Sequence, residues 1–194
     1  EMVDRVRIDP DRVVPSEFDE PYSRVSGAGV IFGASGGVAE AALRMAVEKL
    51  TGTPLTDHLD FTAVRGLEGF KEAVITLPDG GGAVRVAVIN GLGNAEPLIK
   101  RVIAGENVGY DLVEIMACPG GCIGGAGNPA PTRSLEMEGR QEVLLSIDRT
   151  STLRKSQENP DILRLYADFY GEPNSELAHH LLHTAYRPIE RETV

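Results

Sequence analysis

Apolar positions after residue 37 fall at helical spacing, with Val38, Ala41, Ala42, Met45 and Ala46 on one predicted face. A short apolar run, 29–32, and the glycine loop Gly33-Ala-Ser-Gly-Gly37 lead into this helix. Ser35 is its candidate cap and Gly52-Thr-Pro54 its stop. Upstream, residues 1–7 read as the end of a helix, and Asp9-Pro10 with Pro15 breaks it into an acidic, exposed loop running to Ser26. Downstream, 59–64 is expected to be extended. The segments 70–77 and 83–90 flank Pro78-Asp-Gly-Gly-Gly82, whose Asp-Gly step predicts a hairpin. A helix over 95–104, ended by Gly105, then leads to 110–117, where Leu112, Val113, Ile115, Met116 and Ala117 suggest a buried strand. Strand, helix, strand in this order predicts a right-handed parallel crossover. Open α/β sheets bind their ligands at the carboxyl ends of such strands.

From Pro131 onward the strand pattern stops. Residues 134–147 read as a charged, exposed helix. Asn159 is a good cap before Pro160, and Ile162, Leu165, Tyr166 and Phe169 share an apolar face that Gly171 and Pro173 end. Asn174 or Ser175 starts a last helix carrying Ala178, Leu181, Leu182 and Ala185. These amphipathic helices need a surface, either this chain's own core or a larger body. The expected class is α/β: a mainly parallel sheet lobe with flanking helices and a C-terminal helical tail, divided into 1–130 and 131–194.

The 194 residues suit one domain, or one lobe plus a tail, and suffice to bury about 70% of the unfolded surface. A net charge of −10 leaves no basic stripe for phosphates, which argues against nucleic acid or an anionic membrane surface as partner. No apolar run reaches membrane-spanning length, and the opening Glu1-Met-Val-Asp-Arg has no signal core. Two cysteines make no disulfide framework, and a reducing, cytoplasmic setting suits thiolate chemistry better.

Those cysteines, Cys118 and Cys122, lie four residues apart in Met116-Ala-Cys-Pro-Gly-Gly-Cys-Ile-Gly-Gly-Ala-Gly-Asn-Pro129. A disulfide, two inert thiols and a redox pair are all compatible with the spacing. The five glycines at 120, 121, 124, 125 and 127 shift the balance, because so flexible a loop implies something close to the backbone. Soft thiolates suit iron–sulfur clusters, zinc or copper(I). A cubane usually needs four cysteines and this chain has two, so as a cluster ligand set the pair reads as half a site. Three other motifs are weaker. The loop 33–37 lacks the Gly-Lys-Ser/Thr ending of a phosphate loop. Gly91-Leu-Gly-Asn-Ala-Glu96 half-matches a dinucleotide fingerprint, with Asp111 and Glu114 near the ribose spacing, yet Glu96 stands where a pyrophosphate would be repelled. His179 and His183 lack the glutamate of a zinc protease and read as packing or hydrogen-bonding residues.

The string Glu114-Ile-Met-Ala-Cys-Pro-Gly-Gly-Cys-Ile-Gly-Gly resembles the third cluster-binding motif of FeFe-hydrogenases. Ile31-Phe-Gly-Ala-Ser-Gly-Gly-Val-Ala-Glu-Ala-Ala-Leu-Arg44 resembles a second stretch of the same enzymes, and Arg154, Ser156, Asn159-Pro160, His180-Leu-Leu-His-Thr184 and Tyr186 resemble their small-subunit segment. The resemblance implies that Cys118 ligates the 4Fe-4S part of the H-cluster and that Cys122 bridges it to the two-iron subcluster where hydrogen is made or split. It implies Met116 beside the two-iron unit and Phe32, Gly33 and Val38 lining its pocket. It further implies that an N-terminal lobe supplies the remaining ligands and the proton relay. An electron carrier, ferredoxin or an NAD(P)-linked subunit, would be the redox partner, and the chain alone would be inactive and bind little iron. The acidic residues here then read as solvated surface. A non-catalytic iron–sulfur relative, an assembly or interaction module, is the alternative; Met116 and the Gly-Gly between the cysteines favour the hydrogenase branch.

Overall fold

The predicted hairpin and crossover build one three-stranded sheet, ordered β1 (Phe70–Thr76), β2 (Ala83–Asn90), β3 (Leu112–Met116). β1 and β2 pair antiparallel, from Phe70 opposite Ile89 to Thr76 opposite Ala83; β2 and β3 pair parallel, Val86 beside Leu112 through Asn90 beside Met116. The structure, a computed structural model, describes residues 2–129 and 133–186 apart from 18, 20, 21 and 23. Its helices are α1 (Met2–Arg5), α2 (Gly27–Val30), α3 (Gly37–Thr51), α4 (Leu92–Ile103), α5 (Ser134–Thr150), α6 (Pro160–Leu165) and α7 (Glu176–Leu182). No described helix is long and apolar enough to cross a membrane.

β2 is the middle strand and is covered on both faces. Val84, Val86 and Val88 meet Ala39, Leu43 and Val47 of α3, while Ile89 meets Ala95 and Leu98 of α4. This explains why the strand reads as almost continuously apolar. Each buried Val, Leu or Ile side chain among them contributes about 1.5–3 kcal/mol by leaving water.

Several expectations change. The stretch 59–64 is not a strand; Thr62–Val64 forms a 3-10 turn that drops Val64 into the core. On α3 the buried stripe runs through Ala39, Leu43 and Val47, so Met45 faces outward. Ala42 and Ala46 line an open groove of about 490 Å³ against Leu77, Val84 and Leu112. In β3 the pattern is inverted: Glu114 is buried while Val113 and Ile115 are exposed.

Glu114 is buried because it caps α3. Gly36, in the left-handed conformation, occupies the cap position without a side chain, and Ser35 makes no cap. The Glu114 carboxylate accepts the Gly36 N–H at 2.6 Å and the Ala39 N–H at 2.7 Å. It satisfies helix-end donors from across the fold. The Asn159 cap stands as expected, accepting from Asp161 N–H, and Ser175 caps α7.

The tail is bound to the lobe through buried charge, which overturns the reading as solvated surface for Glu40 and Asp148, as burial does for Glu114. Arg44, Glu40 and Asp148 have fully buried side chains. Arg44 donates to Leu59 O, Arg154 O, Glu40 and both oxygens of Asp148, at 2.7–2.9 Å. Arg65 bridges Glu40 and Asp60, and Arg154 bridges Asp60 and Asp148. Three guanidiniums thus face three carboxylates. The α5 helix is exposed over much of its surface, as expected, but it runs on to Thr150 and buries Leu145 and Asp148. Beyond it the apolar side chains of Leu163, Phe169, Leu181 and Leu182 stay about half exposed.

Candidate metal centre

The loop that follows β3 at its carboxyl end carries Cys118, half-buried, and Cys122, exposed; both are free thiols. Asn90, the last residue of β2, anchors the loop. Its Oδ1 accepts the Gly120 N–H at 2.8 Å, and its Nδ2 donates to Glu68 O at 2.7 Å and Ser35 Oγ at 3.1 Å. The Ser35 N–H in turn reaches Gly120 O at 3.1 Å. The loop then tightens into the 3-10 turn Cys122–Gly124, where Cys122 O accepts from Gly125 N–H at 3.0 Å and Asn128 Nδ2 at 2.8 Å.

Two glycines are demanded by neighbours. Gly121 has φ +90°, and a Cβ there would lie 2.7 Å from both Met116 Sδ and Ser35 N. At Gly124 a Cβ would fall 2.1 Å from Pro119 O. Cys118 Sγ sits against Gly125, 3.1 Å from where its Cβ would be. The glycines therefore let the loop fold on itself and bring its first thiol against its second turn.

Met116 meets this loop at Gly121, and Gly33 meets it through Ile123, whose Cγ2 lies 3.9 Å from a Cβ built on Gly33. Phe32, beside Gly33, is 44% exposed. Val38 is different: it is half-buried on the first turn of α3, and its N–H adds to the bonds on Glu114. Cys122, Phe32, Ala117 and Pro119 are all exposed. Two free cysteines on a glycine loop, one of them exposed, offer the soft donors of half an iron–sulfur site.

Sequence reasoning missed Asn90, the capping role of Glu114 and three residues of α5. Met137 places its sulfur 2.8 Å from a Cβ built on Gly120 and 2.9 Å from one on Gly124. Arg140 donates to Ile123 O at 2.7 Å and Pro129 O at 3.2 Å. Leu144 lies 3.0 Å from a Cβ on Gly33. Glu114 carried one signal, as the lone charge in an apolar strand. Burial pushes its carboxyl above the ordinary range, and the N–H bonds of Gly36, Ala39 and Val38 offset only part of that.

The competing sites do not assemble. Gly91 makes the strand-to-helix turn into α4, and Glu96 pairs with Lys100 on the surface at 2.7 Å. Asp111 binds the Arg85 N–H and Glu114 caps α3, so neither carboxylate is spare for a ribose. His179 and His183 hold each other, Nδ1 to Nδ1 at 2.9 Å. Glu40, Asp60 and Asp148 lie close enough to share a cation, but Arg44, Arg65 and Arg154 already supply it.

Similarity to known proteins agrees with this architecture. The NADP-reducing hydrogenase subunit HndD of Solidesulfovibrio fructosivorans is 45% identical over 191 residues, covering 98% of this chain and 32% of that protein. A structure of FeFe-hydrogenase HydA1 from Chlamydomonas reinhardtii superposes with a TM-score of 0.68 at 44% identity, covering 95% of this chain and 52% of that one. A probable cytosolic Fe-S cluster assembly factor, GH10760 of Drosophila grimshawi, is 30% identical over 157 residues, covering 81% of this chain and 32% of that protein. The chain thus spans about a third of these curated relatives and about half of HydA1. Residues 135–189 match the iron hydrogenase small subunit. With residues 1–126 matching the iron-only hydrogenase large subunit, C-terminal domain, the chain belongs to the iron-only hydrogenase family.

Proposed function

We propose that these residues are the C-terminal lobe and fused small-subunit-like tail, 1–130 and 131–194, of an FeFe-hydrogenase that interconverts protons and hydrogen. The observation that carries this reading is the pair of free thiols on one glycine loop, one of them exposed, with Met116 and the 31–35 turn packed against it. Cys118 and Cys122 would hold the 4Fe-4S part of the H-cluster, with Cys122 also reaching the two-iron subcluster. Met116, Phe32, Gly33 and Val38 would line that pocket. When bound, the cluster would supply the metal at which protons and hydrogen interconvert and a relay for the electrons exchanged with the carrier.

What this chain contributes is ligation, shape and exclusion of water. Asn90 and Ser35 pin the loop at Gly120, between the two cysteines, a preorganisation that ligand sites need. The exposed apolar surface of Phe32, Val113 and Ile115 and the uncovered tail helices would be covered by the rest of the protein, which would also bring the other cubane ligands. Alone, the chain would bind little iron and turn over no hydrogen. An electron carrier, ferredoxin or an NAD(P)-linked subunit, would complete the reaction.

The second reading, a non-catalytic iron–sulfur module, has support in the assembly-factor relative. One experiment separates the two. The full-length protein is purified anaerobically after co-expression with hydrogenase maturation proteins, then assayed for iron and for infrared bands of iron-bound carbonyl and cyanide. Those bands, with their loss in Cys122→Ala, support the hydrogenase. A cubane without them supports the module, and no iron removes both.

A further inference from the structure

We propose that Arg140, on the tail helix α5, is a positioning residue for the cysteine ligands, holding the loop that follows Cys122 in ligating shape. The inference rests on the reading of Cys118 and Cys122 as ligands. Arg140 Nη1 donates to Ile123 O at 2.7 Å and Nη2 to Pro129 O at 3.2 Å. Those carbonyls bracket a segment whose Gly124, Gly125 and Gly127 have no side chains with which to fix it. A planar guanidinium can grip two carbonyls at once, whereas a lysine ammonium has no such fixed fork.

The neighbours on the helix strengthen the assignment. Met137, one turn earlier, seats its sulfur under Gly120 and Gly124, and Leu144, one turn later, packs against Gly33. Positions 137, 140 and 144 lie on one face of α5, so one stripe of the tail touches both walls of the metal centre. The tail thus shapes the ligand loop from which it is separated in sequence.

The role is separable from simple stability. Asp148 anchors α5 to Arg44 two turns beyond Arg140, independently of the loop. Removing the Arg140 side chain should leave the helix seated and free the loop.

The test uses the full-length protein in its cluster-free, reduced form. Iodoacetamide labelling rates are resolved for Cys118 and Cys122 by peptide mass spectrometry. Arg140→Ala should raise the rate at half-buried Cys118 by about fivefold or more, as local opening becomes easier. Arg140→Lys should fall between that variant and the wild type. Arg149→Ala, which removes a surface contact to Glu142, should leave both rates unchanged. Unchanged labelling in Arg140→Ala, or an equal rise in Arg149→Ala, overturns the proposal. Iron uptake on reconstitution is a separate readout: a wild-type protein that takes none defeats the hydrogenase reading, while the labelling ratio still decides the role of Arg140.

Discussion

Arg44 and Asp148, 104 residues apart in sequence, meet through two hydrogen bonds of 2.8 and 2.7 Å with neither side chain exposed. The fork joins the helix that leads from the glycine loop to the helix that grips the cysteine loop. Asp148→Ala leaves a buried guanidinium short of two acceptors and should lower stability by about 3–5 kcal/mol, read as a drop in the urea midpoint. A loss below about 1 kcal/mol would mean the pair is solvated in solution.

Acid should act on Asp148 and Glu114 in opposite directions. Burial alone would raise the Asp148 carboxyl, but the hydrogen bonds and charges of Arg44 and Arg154 outweigh it and hold the group below its ordinary 3.8. Its stabilisation is therefore present above 3.8 and lost as pH falls through the lower folded value. Glu114, raised above 4.5 by burial, favours the fold in its protonated form; that contribution is full below 4.5 and lost as pH rises through the higher folded value. Urea titrations carried upward from pH 4.5, where only the Glu114 effect applies, should show a less negative slope of stability against pH in Glu114→Gln than in the wild type. An unchanged slope would show that Glu114 titrates alike in both states.

Two glycines should respond with opposite signs. Gly139 lies inside α5 with open space where a Cβ would go, so Gly139→Ala should stabilise by about 0.4–1 kcal/mol. Gly121 at φ +90° has Met116 Sδ and Ser35 N in the way, so Gly121→Ala should destabilise by more than about 1 kcal/mol and displace the loop between the thiols. Thermal melts of the two variants measure both signs.

Asn90 fills three hydrogen-bonding roles from a buried position. Asn90→Ala strands the Gly120 N–H and the Glu68 carbonyl, at a cost of about 1–3 kcal/mol each if they remain buried. On the proposed ligand role of the loop, the same variant should reduce iron content in the assembled protein, because the loop loses its anchor. Full iron occupancy with lowered stability would limit Asn90 to folding.

Much of this was legible in the chain. The hairpin, the crossover into β3, the Asn159 and Ser175 caps, and the placement of the cysteine loop at a strand's end all follow from local rules, because turns, caps and strand ends are decided by residues adjacent in sequence. What was missed is non-local. Glu114 and Asp148 resemble surface acids until their partners arrive from 78 and 104 residues away. Glu40 and Arg44, one helical turn apart on α3, were readable as a pair, yet nothing local says that the pair faces inward. The same holds for Arg140, whose acceptors are main-chain carbonyls that no side-chain pattern announces.

The two matched regions, 1–126 and 135–189, are joined covalently across a short connection, yet Glu40, Arg44, Asp60 and Arg65 on one side interlock with Asp148 and Arg154 on the other. A protease nick in the intervening stretch should therefore yield fragments that travel together through a sizing column until acid or high denaturant parts them. Continuity of the backbone is, on this view, a convenience of synthesis, and one gene or two could encode the same assembly.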